Sequence, residues 1–254
     1  MSMLRWIPIF TVLTAAPSWS EEIFKPCPSL ASLPSAPVGA KTCRTEYTVG
    51  HDSQTGALRW VHYRLTPDAT VISHRIYPLS EHAAANQGAY PDPEFDSAQL
   101  IPPSLNAFSE TAFEEARDPL VTVPMHKHLH RSLEFNGDWA VTTRWENYYA
   151  TNRPGTEVFA GPIYSEEGDW PSHYFKVYYD PEIPAMMAMI FVNEAGINDA
   201  HLAHNVVTVD CVEERTGLNF FSGVRDEDDL ENDRAITVRY WNMIDGHSRE
   251  SGCK

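Results

Sequence analysis

The run Met186-Met187-Ala188-Met189-Ile190-Phe191-Val192 limits the fold more than any other stretch of the chain. It is apolar without interruption, too short to cross a bilayer and lacking polar alternation, so it suits a strand buried inside a sheet. Other segments supply its neighbours. Leu58 to Leu65 mixes aromatic and β-branched residues in near alternation and stops at Thr66-Pro67-Asp68, which predicts a strand and a turn. Val71 to Ile76 predicts a strand beside it, Leu120 to Val123 a short strand, and Glu157 to Ile163, His173 to Tyr179 and Val206 to Val212 further strands. Ser80 to Glu94, rich in Ala, Asn, Gly and Pro, reads as a loop. Leu129 to Tyr149 sets Leu133, Trp139 and Trp145 among polar residues as a helix would, although Gly137 weakens it. Thr216-Gly217-Leu218-Asn219-Phe220-Phe221 reads as a turn ending in an aromatic plug. The sum is an α+β domain.

The 254 residues, 43% hydrophobic and 21% charged, fit one sizeable domain with extensions. Met1 to Ser20 has a positive charge at Arg5, a short apolar run from Trp6 to Ala16, and small residues at Ser18 and Ser20, the layout of a secretory signal. Its shortness, with Pro8 and Pro17, argues against a membrane anchor. The expected organisation is a signal at 1–20, a Pro/Ser-rich leader at 21–54, the domain at 55–224, and an acidic loop and tail at 225–254. The expected location is outside the cell, or the periplasm, free of the membrane once the signal is removed. Cys27, Cys43, Cys211 and Cys253 then predict two disulfides, and proximity in sequence favours Cys27 with Cys43 and Cys211 with Cys253 among the three pairings.

A formal net charge of −16 opposes broad, nonspecific adhesion to nucleic acid, though not a local basic site. Much of it lies in Asp226-Glu227-Asp228-Asp229, Glu231 and Asp233, whose spacing matches no EF-hand loop and reads as a solvated loop.

Several motifs, taken in order, resemble the DNA/RNA non-specific endonuclease family. "VFAGPIY" is similar to that family's strand ending in a T-G-P-like turn, and Trp170-Pro171-Ser172-His173-Tyr174-Phe175-Lys176-Val177 to its V-P-T-H-F-Y-K-V segment. "MIFVNEA" resembles its strand ending in P-N, and "VDCVEERTGLNFF", Val209 to Phe221, its closing I-E-x-x-T-G-L-x-F-F. The resemblance spans about residues 55 to 224. It implies a central, mostly antiparallel sheet with flanking helices and a ββα-metal, or His-Me finger, active site. It also implies metal-assisted hydrolysis of DNA or RNA held by its phosphate backbone, with a divalent cation, Mg²⁺ foremost and Mn²⁺ or Zn²⁺ as alternatives.

The catalytic motifs depart from the family pattern. Its D-R-G-H strand aligns with Asp96-Ser97-Ala98-Gln99, which places Gln99 where the family has its general base. A carboxamide orients water but has no nitrogen basic enough to take its proton. The S-N-x-x-P-Q strand keeps only Pro124 in Val121-Thr122-Val123-Pro124-Met125. Phe135-Asn136-Gly137-Asp138-Trp139 is similar to the family's F-N…W helix start, so the resemblance implies Asn136 as the metal residue.

Between these motifs, "MHKHLHRS" offers His126, His128 and His130, which share one side if the chain is extended there. One of them is a candidate substitute base, or two are candidate zinc ligands. Glu146 is a candidate for the family's helix carboxylate, and Arg75, Lys127 and Arg131 for phosphate contacts. Two other functions stand beside the nuclease: a catalytically inactive homologue acting as an extracellular binding module, and a metal-binding protein built on the three histidines.

Overall fold

The computed structural model describes residues 41–67, 92–165, 170–196, 202–222, 224, 230–231 and 241. The expected signal, residues 21–40 of the expected leader, the expected strand at Val71–Ile76, most of the Ser80–Glu94 loop, Arg75 and most of the acidic run lie outside the described residues. So do Cys27 and Cys253, on which the expected cysteine pairing rests. Residues 41–54 of that leader are described and carry the first two strands of the sheet.

The described strands are β1 (Lys41–Cys43), β2 (Tyr47–His51), β3 (Leu58–Arg64), β4 (Phe95–Gln99), β5 (Thr122–His126), β6 (Glu157–Tyr164), β7 (Pro171–Asp180), β8 (Ala185–Val192) and β9 (Val206–Val207). The helices are α1 (Glu110–Glu115), α2 (Lys127–His130), α3 (Ser132–Phe135), α4 (Asp138–Asn152) and α5 (Val209–Thr216). Seven strands form one antiparallel sheet in the order β1-β2-β3-β6-β7-β8-β9. Strands β4 and β5 form a separate two-stranded ribbon.

The period-2 geometry of a strand explains the apolar run from Met186 to Val192. Met187, Met189 and Phe191 of β8 join the cluster that also holds Trp139 and Tyr149 of α4 and Ala98, Val123 and Met125 of the ribbon. Met186, Ala188 and Ile190 point the other way, into a cluster with Val209 and Val212 of α5 and the Phe220–Phe221 plug. Helices therefore cover both faces of the sheet, and β8 has no wet side. Each buried Met, Val, Ile or Phe side chain among them contributes roughly 1.5–3 kcal/mol by leaving water.

Two expected elements change character. Leu129 to Tyr149 is not one helix but α2, α3 and α4, because Arg131 is extended, at φ −84° and ψ 125°, and Asn136 adopts a left-handed φ of 54°. A Cβ on Gly137 would stand 2.2 Å from the Leu129 carbonyl oxygen, so α4 enters against the α2 backbone only with glycine there. The expected strand Val206 to Val212 stops after Val207. Thr208 then caps α5 by accepting a hydrogen bond from the Cys211 N–H, Val209 and Val212 share its buried face, and Gly217 closes it at φ 65°. No described helix is long and apolar enough to cross a membrane.

Candidate active site

The ribbon and the helices after it form a β-β-α unit. Register pairs Phe95 with His126, Asp96 with Met125 and Gln99 with Thr122. The chain leaves β5 at the Phe95/His126 end, passes through α2 and α3, turns at Asn136 and enters α4. Asn193, at the end of the β8 run, pins the unit to the sheet. Its Oδ1 accepts from the His126 N–H at 2.7 Å, while its Nδ2 donates to the carbonyls of Pro171 at 2.8 Å and Pro124 at 3.3 Å. Pro124 can sit mid-strand because β5 pairs on one side only.

Asp96 is the centre of the unit. It is buried, and it receives a two-pronged contact from Arg131, with Nε on Oδ2 at 2.8 Å and Nη2 on Oδ1 at 2.8 Å. His130 Nδ1 meets the same Oδ2 at 3.0 Å. Burial alone would raise this carboxyl, but hydrogen bonds from Arg131 and His130 outweigh it and hold Asp96 well below the usual carboxylate range. Arg131 Nη1 is taken by Glu134 at 2.9 Å. The guanidinium expected to reach a phosphate is thus committed to two carboxylates, which makes it a clamp on β4.

The three histidines do not share one side, because the chain coils into α2 after His126 instead of staying extended. His126 is buried, and its Nδ1 accepts from the His128 N–H at 3.2 Å. Burial also lowers its affinity for a second proton. His128 accepts at Nδ1 from the Gly196 N–H at 3.1 Å and stacks on Phe135 at 4.0 Å between ring centroids. A neutral imidazole that accepts at Nδ1 carries its proton on Nε2, so in this arrangement neither ring offers a lone pair to zinc.

Gln99 is half-buried at the C-terminal end of β4, about 10 Å along the strand from Asp96 at ~3.3 Å per residue. Asn136 is exposed, and its Oδ1 accepts from Arg144 Nη2 at 3.1 Å. A hydrated hard cation held through one amide oxygen and water is compatible with it, since the second lone pair of Oδ1 and the exposure remain. Lys127 reaches Glu94 at 2.7 Å with its side chain 22% exposed, so it lies at the rim where a phosphate could compete for it.

Glu146 departs from its expected role. It faces the sheet, fully buried, and takes Lys176, Tyr63 at 3.1 Å and Tyr178 at 2.7 Å on a single oxygen. No substrate reaches it there. The described carboxylates that gather closely are Asp210, Glu213 and Glu231, within 4.8 Å of one another. Two of them, both half-buried, ride on α5, across the sheet from the ribbon, and Glu231 is buried.

Comparison with known proteins agrees with the β-β-α unit. The sequence profile of the DNA/RNA non-specific endonucleases matches residues 31–227. The chain belongs to that family. A solved structure of the EndoG/EndoGI complex, concerned with the mechanism of EndoG inhibition, aligns at a TM-score of 0.57 and 16% identity, covering 73% of this chain and 86% of that one. The likeness bears on the fold, the ββα-metal arrangement of a large antiparallel sheet flanked by helices. No curated protein matches the chain. Within this endonuclease framework Asn136 and the histidines stand out in the sequence, whereas Asp96 and Asn193 do not, although they occupy the D of D-R-G-H and the N of P-N. Their value depends on partners 34 and 67 residues away.

Proposed function

We propose that this endonuclease-family chain hydrolyses phosphodiester bonds of DNA or RNA with a divalent cation, Mg²⁺ in the first place, without reading bases. The observation that supports this best is the complete β-β-α unit, pinned by Asn193 and presenting an exposed amide oxygen on Asn136. Asn136 would hold the cation together with water, and the cation would neutralise charge developing on the phosphate. Lys127 would meet the phosphate backbone at the rim, and Arg75 is a further candidate contact. Gln99 or a neighbouring histidine would handle the attacking water. A secretory route fits the N-terminal signal pattern and the absence of free thiols among the described cysteines, and it would let Cys27, Cys43, Cys211 and Cys253 form two disulfides.

The test is degradation of plasmid DNA and of RNA by purified protein with Mg²⁺, Mn²⁺ or a chelator. Asn136→Gly is the preferred variant, since glycine accepts φ 54° while alanine would add about 1–2 kcal/mol of backbone strain. The expected result is metal-dependent cutting that Asn136→Gly abolishes without loss of folding. The replacement of the family's Arg and His by Ser97 and Gln99 favours a second reading, an inactive extracellular binding module. Nucleic-acid binding with no hydrolysis under any metal would select it.

A further inference from the structure

Resting on the nuclease reading, we propose that His130 is the proton acceptor of this site, replacing the base lost at Gln99, and that Asp96 and Arg131 are its positioning residues. The argument begins with what Asp96 can do. Arg131 grips both of its oxygens, at 2.8 Å each, and keeps it ionised, so it can only accept hydrogen bonds. The 3.0 Å contact with His130 therefore fixes the donor: Nδ1 carries the proton, and Nε2 of the neutral ring is left with its lone pair. The other two histidines are in the opposite state, because each spends Nδ1 accepting a backbone N–H. Of the three, His130 alone presents a basic nitrogen, and its side chain is 27% exposed, within reach of solvent.

In the reaction, one O–H bond of the attacking water breaks and its proton moves to His130 Nε2. The oxygen forms a bond to phosphorus, and the bond from phosphorus to the leaving oxygen breaks with its electron pair. The imidazolium is offset by the Asp96 carboxylate, and solvent protonates the departing alkoxide. Arg131 prevents the carboxylate from turning away as that charge develops.

Two measurements test the assignment. Nitrogen NMR of the folded protein above the ordinary histidine titration range reads the tautomers directly. His130 should be protonated at Nδ1, and His126 and His128 at Nε2. The second measurement is the rate of His130→Asn, whose amide can still donate to Asp96. It should lose about 10²–10⁴-fold in kcat, with KM and thermal midpoint nearly unchanged. Imidazole in solution should restore part of the cutting by His130→Gly. His130 protonated at Nε2, or His130→Asn cutting as fast as the parent, overturns the role while leaving the nuclease reading in place. A parent protein that cuts nothing with any divalent metal brings down both.

Discussion

A buried carboxylate must be matched by donors or lose its charge, and two residues meet that demand differently. Glu146 gathers Lys176, Tyr63 and Tyr178 on Oε1, while Oε2 has no hydrogen-bond partner among the described residues. Burial pushes both tyrosine hydroxyls well above their ordinary value, which keeps them protonated donors. Removing one charge strands the other, so Glu146→Gln or Lys176→Met alone should cost about 3–5 kcal/mol in denaturant unfolding. The double variant Glu146→Gln with Lys176→Met should recover most of that loss, and additive losses would show that the charges are not coupled. Asp96 instead sits at the interior margin with Arg131. Its folded value is depressed, so its stabilisation is complete above the unfolded carboxyl pKa of about 3.9 and fades as acid approaches the lower folded value. Asp96→Asn should therefore be less stable than the parent at pH 7, and the gap should narrow below about pH 4. A gap constant with pH would mean the ionised carboxylate contributes nothing. The departure from D-R-G-H at Gln99 is legible in the sequence, because a motif is local. The Asp96–His130 contact is not, since it spans 34 residues and depends on the chain coiling after His126.

At the scale of elements, strands were read well where burial on two faces left an uninterrupted apolar run, as in β8, or aromatic alternation, as in β3. Periodicity misleads where capping overrides it. Val206 to Val212 contains enough β-branched residues to suggest a strand, but the Thr208 cap and Gly217 stop convert most of it to α5. The region from Leu129 to Tyr149 has helical composition throughout, yet it breaks at the extended Arg131 and again where Asn136 and Gly137 meet. The second break matters to the site, because an unbroken helix could not turn at Asn136 between α3 and α4. Gly137→Ala would bring its Cβ within 2.2–2.6 Å of backbone atoms of Leu129 and His128, which have no flexible end to move aside. The expected cost is about 1–3 kcal/mol by thermal or denaturant unfolding, with metal-dependent cutting falling as α2 and α4 separate. An alanine variant with unchanged stability would show that the two elements are not held at this approach.

For the whole molecule, charge sets a problem that neither the fold nor the finger solves. A net charge of −16 repels a polyanion from a distance, while Lys127 and other local cations can act only near contact. These effects respond to salt in opposite directions. Displacement of counterions by local phosphate contacts weakens binding as salt rises, with a slope of about −0.9 per phosphate on duplex DNA. Long-range repulsion is instead relieved as the Debye length falls from about 30 Å at 0.01 M to about 8 Å at 0.15 M. With so few cations identified at the finger, the two terms should compete. At limiting substrate, kcat/KM should rise with salt from about 0.01 M, pass a maximum near physiological strength and then fall. Replacing Asp226, Asp228 and Asp229 by Asn should raise the low-salt rate and flatten the rising limb, with little effect beyond the maximum. Rates measured across the salt series decide it: a steep monotonic fall in the parent would mean that a basic phosphate-binding tract outweighs the acidic surface.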